Sequence, residues 1–458
     1  MAWKINWCRI VGVIGTLCGC AGIMTAGLWY GSSKQIPVYD RNGNCIANLF
    51  VENGELQYEC VEEYEAYVDI VRKEFVDVVK ERLEEKTVVE TAESGSFEIR
   101  TGFSEKTMAA LSEAYENNAD LMIGNSAAAV SDIKGCMTAC LSRSSAGENY
   151  NYVNIPAYAG SAIKPLSVYT PALEDSTVTW SSMYRDSAYA MVEDGNGKMT
   201  EWPANTEPYT DQMITIEEAV AESNNAVAVK VLKDNGAEKS CQFLEDAFGI
   251  STDQETEIMK EEGEDRILGN IALGYLEGGV TVQQMTGAYQ IFANGGAYYE
   301  PHAITEIRDD GNVYYTPSGE GTQVISRETA YIMNRLMRGV VLNGTGTSAQ
   351  IEGVDVCGKT GTSEYGDHWF AGITPEYVCV VWHEAENEES STDRSVQVFH
   401  DTVTALESEK GMEYPQPDSV NEIPYCEKSG LLRNMSCQNI STGYYTADNM
   451  PEICNKCR

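Results

Sequence analysis

Apolar residues recur along the chain in two periods, and the periods mark where helices and strands should lie. Tyr64, Tyr67, Val68, Val71, Phe75, Val78 and Val79 fall on one face of a helix within Glu62 to Lys86, the spacing of an amphipathic helix that packs on a larger body. Phe97 to Gly102 alternates as a strand does, and Ser104 then caps a helix reaching about Asn117. Ala127 to Ile133 and Cys136 to Leu141 flank Lys134-Gly135 as a hairpin. Further helices are predicted over 161–174, 214–232 and 280–293, the last ended by Asn294-Gly295-Gly296. Residues 354–357, 369–373 and 377–382 read as sheet strands, and 393–408 as a closing helix. Asn42-Gly43 reads as a tight turn, while Thr87 to Ser96 and Ser142 to Ala157 read as irregular. From Gly411 onward the chain is polar, proline-bearing and rich in cysteine, and it is expected to be a tail.

A different pattern occupies the beginning. No residue from Ile10 to Ser33 is charged, and Lys4 and Arg9 precede the run. Such a length crosses a bilayer, which takes ~20 apolar residues. Positive charge before it places the bulk of the chain outside the cytoplasm. The first reading is a single-pass signal-anchor in the cell membrane, with the main domain extracytoplasmic. A lipoprotein-like box at Leu17-Cys18-Gly19-Cys20, with Cys20 lipidated, and a cleaved signal peptide are the alternatives. The expected organisation is then a cytoplasmic terminus (1–9), the anchor (10–33), a juxtamembrane linker with its helix (34–96), the main domain (97–410) and the tail (411–458).

Composition narrows the function classes. A net charge of −38 over 458 residues excludes a basic nucleic-acid-binding face. Of the 14 cysteines, Cys426, Cys437, Cys454 and Cys457 crowd the tail. In an exported domain they read first as disulfides; a zinc site and free thiols are the other readings.

Candidate chemistry centres on Ala159-Gly160-Ser161-Ala162-Ile163-Lys164-Pro165. A serine and a lysine three residues apart share a helix face, giving a nucleophile and a base. The lysine serves as base only when neutral, which requires burial or a nearby cation. The same spacing recurs at Ser131 and Lys134, but there it lies in a strand entering a turn. Downstream of Ser161 come Ser223-Asn224-Asn225 and then Lys359-Thr360-Gly361-Thr362. Ser-x-x-Lys, Ser-x-Asn and Lys-Thr-Gly, in that order, are the three motifs of the penicillin-recognising acyltransferases.

Flanking residues extend the likeness. Tyr169 to Glu174, Ile214 to Ala221, Leu273-Gly274, Phe292 to Gly296, Gly344-Thr345-Gly346-Thr347 and Asp367 to Pro375 resemble the corresponding stretches of class A penicillin-binding proteins, over roughly Phe97 to Ser408. The resemblance implies an α+β fold, an antiparallel sheet flanked by helices with an all-helical subdomain, beside the N-terminal transmembrane helix. It implies a peptidoglycan D,D-transpeptidase. Ser161 would attack a D-alanyl-D-alanine stem peptide, Lys164 would take the serine proton, and Lys359 would help keep Lys164 neutral. Ser223 would relay a proton to the leaving amine, Asn225 would hold the peptide amide, and Thr360 and Thr362 would bind the terminal carboxylate. Backbone N–H groups of Ser161 and Thr362 would form the oxyanion hole, and Gly361 would leave room for an extended peptide. The expected ligands are stem peptides and β-lactams; the chemistry implied calls for no metal ion and no cofactor. D,D-carboxypeptidase or β-lactam hydrolase activity, and an idle scaffold or sensor, are the competing outcomes.

Two departures stand out. Val38 to Gly43 resembles the stretch after the family's anchor, and Tyr67 to Glu74 the linker after its glycosyltransferase domain. Only about two dozen residues lie between, too few for such a domain, so a separate glycosyltransferase is expected as partner. Cys357 stands where the family has a small apolar residue, and reads as a buried small hydrophobe. Gly353 to Thr360 also spells G-x-x-x-x-G-K-[ST], but the span is β-branched and runs into a turn, so a phosphate loop is not expected. Among the four histidines, His368 near the third motif is expected to pack or gate.

Overall fold

Three runs of small, β-branched and aromatic residues show little alternation of burial: Ser126–Asp132, Asp367–Ile373 and Tyr377–Glu384 are buried along nearly their whole length. Strands covered on both faces read this way. In the computed structural model, which describes residues 34–83, 86–119, 124–145, 150–193, 196–385, 393–406 and 411–457, they form the middle of an antiparallel sheet. Its strand order is Cys357–Thr362, Asp367–Ile373, Tyr377–Glu384, Ser126–Asp132, Met137–Arg143. The register pairs Lys359 with Ala371 and Gly361 with Trp369. The helix Asp393–Leu406 covers one stretch of it so closely that a Cβ on Gly372 would lie 2.3 Å from the Phe399 ring.

The chain divides into two units, one from the described part of Met1–Glu105 with His302–Ser318, the other from Lys106–Pro301 with Gly319–Arg458. In the first unit a six-stranded sheet runs Asn312–Tyr315, Ile304–Asp309, Phe97–Thr101, Gln35–Tyr39, Cys45–Glu52, Glu55–Cys60. The expected amphipathic helix spans Glu65–Lys80 and buries Tyr67, Val68, Val71, Phe75, Val78 and Val79. The stretch between Gly43 and Tyr67 is occupied by a hairpin, with Ala47 opposite Cys60. Asp40 accepts from the backbone N–H of Asn42 and Asn44, fixing the turn at Gly43 (φ +84°).

In the second unit the sheet is joined by a helical region that includes Asn225–Asn235, Ala237–Phe248, Asp253–Glu262 and Leu268–Leu273. The helix expected over 161–174 is one continuous helical run of three kinds. Gly160–Ile163 is a 3-10 turn, Pro165–Tyr169 a π turn and Thr170–Glu174 α-helical. Pro165 has no N–H to donate, so the regular i→i−4 ladder cannot pass through it. The strand expected at 354–357 begins instead at Cys357, because Val354 and Val356 close local turns onto Ile351 and Val354.

The tail differs from expectation. Asn421–Cys426 and Ile440–Tyr445 pair as a two-stranded sheet, and the four tail cysteines are not disulfide-bonded but face one another. The expected anchor, 10–33, lies outside the described residues. Among the described residues no helix is long and apolar enough to cross a membrane.

Candidate functional site

The 3-10 turn Gly160–Ile163 carries Ser161, and the N–H of Lys164 closes it by donating to the Ser161 carbonyl. Side chains at i and i+3 eclipse in such a turn, so it aligns Ser161 with Lys164 more closely than an α-helix would. Gly160 holds φ +52°. A Cβ there would lie 2.4 Å from the Thr362 carbonyl oxygen and 2.7 Å from its nitrogen. The backbone entering Ser161 therefore touches the end of the edge strand Cys357–Thr362. Gly361 completes the contact from the other side, since a Cβ on it would meet the Ala159 carbonyl oxygen at 2.3 Å and the Ala162 nitrogen at 2.9 Å. The glycine that was expected to spare an extended peptide is needed first for this turn-on-strand packing.

The second motif lies between two helices, Ile216–Ala221 and Asn225–Asn235. Ser223 holds φ +59°, a left-handed conformation that costs a serine ~1–2 kcal/mol. That conformation brings Ser223 between two lysines. Lys359 Nζ donates to its Oγ at 2.8 Å, and Lys164 Nζ donates to its carbonyl oxygen at 2.8 Å. Lys164 also donates to Asn225 Oδ1 at 2.5 Å. A longer contact runs from Lys164 Nζ to Ser223 Oγ at 3.4 Å, so the second motif alone supplies all three of these acceptors.

Both lysines are fully buried. Burial pushes Lys164 well below its ordinary value, and the neighbouring Lys359 charge pushes it further. Burial alone lowers Lys359 to about 7. Thr360 and Thr362 share one face of the strand by alternation, and the Thr360 hydroxyl bonds to that of Thr345 at 2.6 Å. Ser161, Lys164, Ser223, Asn225, Lys359, Thr360, Gly361 and Thr362 are thus gathered about one turn, one strand end and one loop. Ser131 is instead buried in a sheet strand, paired with Val378 and Met137.

Sequence reading missed a polar bracket behind the second motif. Asp186 accepts from Asn224 Nδ2 at 2.8 Å, Asn205 Nδ2 at 2.9 Å and the Thr210 N–H and hydroxyl at 2.8 Å each. Burial would raise the Asp186 carboxyl, but these donors outweigh it and hold the group below its usual range. Asn205 Oδ1 in turn receives the N–H of Asn225, and the Asn225 side chain donates to the Ala204 carbonyl at 2.7 Å. The turn carrying Ser161 is buttressed too, by Tyr289 OH donating to the Ala162 carbonyl and Trp369 Nε1 to the Tyr158 carbonyl. Tyr158 begins an aromatic rim, with ring centroids 5.0 Å from Tyr365 and 5.8 Å from Tyr275. His368 stacks on His383 at 4.9 Å; burial lowers both, His383 to about 3, so the pair is neutral packing.

The Gly353 to Thr360 stretch leads into a strand and not into a helix N-terminus, which removes the geometry of a phosphate loop.

A family profile described as "Penicillin binding protein transpeptidase domain" matches residues 108–404. The chain is 29% identical over 380 residues to penicillin-binding protein 1F of Bacillus subtilis, covering 79% of this chain and 49% of that protein. It is 27% identical over 430 residues to penicillin-binding protein 1A/1B of the same organism, covering 86% and 43%. The chain thus spans less than half the length of these two curated relatives. Among solved structures, penicillin-binding protein 1A of Haemophilus influenzae superposes with a TM-score of 0.67 at 18% identity, covering 87% of this chain and 78% of that one. The D,D-transpeptidase domain of a peptidoglycan glycosyltransferase from Eggerthella lenta gives 0.61 at 18% identity, covering 82% and 98%.

Proposed function

Because the chain belongs to the penicillin-binding protein transpeptidase family, we propose that it is a serine D,D-transpeptidase that cross-links peptidoglycan stem peptides. The observation that carries this reading is the placement of Ser223 Oγ against Lys359 Nζ while its carbonyl holds Lys164 Nζ. That arrangement connects a base, a relay hydroxyl and a second cation in one buried chain of contacts.

In the proposed reaction Lys164, neutral, takes the Ser161 proton as Oγ bonds to the carbonyl carbon of the penultimate D-alanine. Backbone N–H groups of Ser161 and Thr362 receive the developing oxyanion. Ser223 passes a proton to the departing amine, the C–N bond breaks and the terminal D-alanine leaves. An acceptor amine then attacks the ester, and the new amide forms as Ser161 regains its proton. Thr360 and Thr362 grip the donor's carboxylate, with the Lys359 charge behind them. Asn225 has spent one acceptor and one donor position on Lys164 and Ala204, which leaves one of each for the donor's amide. A β-lactam takes the donor's place and leaves Ser161 acylated.

The proposal extends to the setting. Residues 10–33 anchor the chain and the site acts outside the cytoplasm, where a separate glycosyltransferase supplies the glycan strands. Fluorescent penicillin should label the protein through Ser161. Absence of labelling, or equal labelling of Ser161→Ala, would overturn the reading. Fast turnover of nitrocefin would instead assign the site to hydrolysis.

A further inference from the structure

Few aliphatic side chains of the stretch Gly411–Cys457 are buried: Val420 is, as are the aromatic Tyr414, Tyr425 and Tyr445. Its buried centre is made of Cys426, Cys437 and Cys454, with Leu431 and Cys457 packed against them. A piece this small seldom holds its shape on hydrophobic burial alone and commonly relies on a disulfide or a metal. The four cysteines come from three separate places: the end of the strand Asn421–Cys426, the turn at Cys437, and the pair Cys454 and Cys457. Their sulfurs nevertheless all lie within 4.8 Å of one another, and Cys426 Sγ is 3.6 Å from Cys457 Sγ.

Disulfides would draw the sulfurs into two pairs at ~2.05 Å. A zinc ion with Zn–S bonds of ~2.3 Å holds four sulfurs about 3.8 Å apart at the corners of a tetrahedron. The arrangement matches the second geometry. The surroundings support thiolates as well. Asn434 donates its backbone N–H to Cys437 Sγ at 3.4 Å, and the Ser429 hydroxyl donates to Cys454 Sγ at 3.2 Å. The Asn434 side chain donates to the carbonyls of Cys454 at 2.6 Å and Cys457 at 3.2 Å, tying the turn to the last segment.

We propose that Cys426, Cys437, Cys454 and Cys457 bind one zinc ion as a closed tetrathiolate site that sets the fold of this C-terminal lobe. On binding, four thiols release four protons and each sulfur gives a lone pair to Zn2+, with no change of oxidation state. All four positions are taken by protein, so the site is structural. What it holds in shape is a docking surface. Tyr445 OH donates to Ser181 Oγ at 2.7 Å, and Ser181 Oγ donates to the Gly430 carbonyl at 2.6 Å. Asn449 Nδ2 donates to the Val178 carbonyl at 2.9 Å, and Tyr425 OH to Glu217 at 2.9 Å. Glu217 lies in the first turn of the helix that ends just before Ser223.

The test uses the full chain, purified without added metal and dialysed. Elemental analysis should find about one zinc per chain. Replacing it with Co2+ should give the sulfur-to-cobalt charge-transfer and visible bands of a tetrahedral thiolate site. Cys437→Ser and Cys454→Ser should each weaken zinc binding by roughly 10-fold or more. Either variant can misfold, so the metal content and cobalt spectrum of the unaltered chain decide the matter. Disulfide-linked peptides joining any of the four cysteines, a metal-free chain or an iron-loaded one would overturn the proposal. None of these readouts depends on acylation of Ser161, so failure here leaves the proposed activity untouched.

Discussion

Lys359 Nζ donates to Ser223 Oγ across 2.8 Å, with both groups beside the second lysine, Lys164, whose own amine reaches the Ser223 carbonyl. The two buried cations cannot both keep their protons cheaply. Burial, reinforced by the Lys359 charge, pushes Lys164 well below its ordinary value, and burial lowers Lys359 to about 7. Both shifts favour the uncharged amine, the form in which Lys164 could accept a proton.

The first prediction concerns pH. Acylation by a penicillin should fall on the acid side as Lys164 gains a proton. It should fall again above about 7 as Lys359 loses one. Lys359→Arg cannot lose its charge in this range, so it should acylate more slowly but without the alkaline limb. Stopped-flow or gel-based acylation rates from pH 5 to 9 check this. A rate in the unaltered chain that stays level from pH 7 to 9 would exclude a required Lys359 charge.

Stability should carry the opposite signature. Lys359 is lowered from 10.5 to about 7 on folding. Below 7 both states are protonated and the folded state bears the full cost, about 1.4 kcal/mol per pKa unit on an order-of-magnitude scale. Between 7 and 10.5 the unfolded chain binds the extra proton, so stability rises with pH. Lys359→Met should thus melt at a higher temperature than the unaltered chain at pH 6, and the advantage should shrink towards pH 10. Melting curves at several pH values would reject the idea if the variant were less stable at pH 6.

Ser223 combines strain with chemistry. Ser223→Gly relieves the left-handed conformation and should stabilise the fold by ~1 kcal/mol. The same change removes the hydroxyl that Lys359 holds, and acylation should slow by ~100-fold or more. Urea denaturation and penicillin labelling together separate the two effects. Unchanged labelling would remove Ser223 from the reaction.

Gly361→Ala tests the packing of the Ser161 turn on the strand. The added methyl meets backbone at 2.3 Å, so the strand end must shift. A loss of roughly 1–3 kcal/mol in stability is expected, together with slower acylation, because the turn bearing Ser161 moves with it. Equal stability and equal labelling would show that the turn and strand can part without consequence.

Much of this site could be read from short words in the sequence. Ser161 with Lys164, Ser223 with Asn225, and Lys359 to Thr362 announce themselves by local spacing, and hydrogen bonds among Lys164, Ser223, Asn225 and Lys359 join the three stretches in space. What stayed hidden was non-local. Asp186 and Asn205 reach the Ser223 loop only through a connection folded across it, and no local spacing signals such a bracket. The helix Arg327–Asn343 was overlooked because its buried face includes Asn334 and Arg335, which break the apolar stripe. Those polar groups are buried because Arg335 pairs with Asp355 at 2.8 Å, just ahead of the Lys359 strand. The tail gives little sign of its strands because Pro424 lies inside one of them and cysteine stands in for the usual apolar core. The first unit's hairpin likewise carries too little alternation to be seen in advance.

The strand bearing Lys359 stands at the outer margin of its sheet, yet five of its six residues are covered and Thr362 alone is exposed. A visiting chain that tried to lie alongside would find backbone to pair with for a step or two before running into the Ser161 turn. The berth open to a further strand is therefore short. The same shortness guards the margin against sticking to copies of itself, a hazard that longer open edges carry.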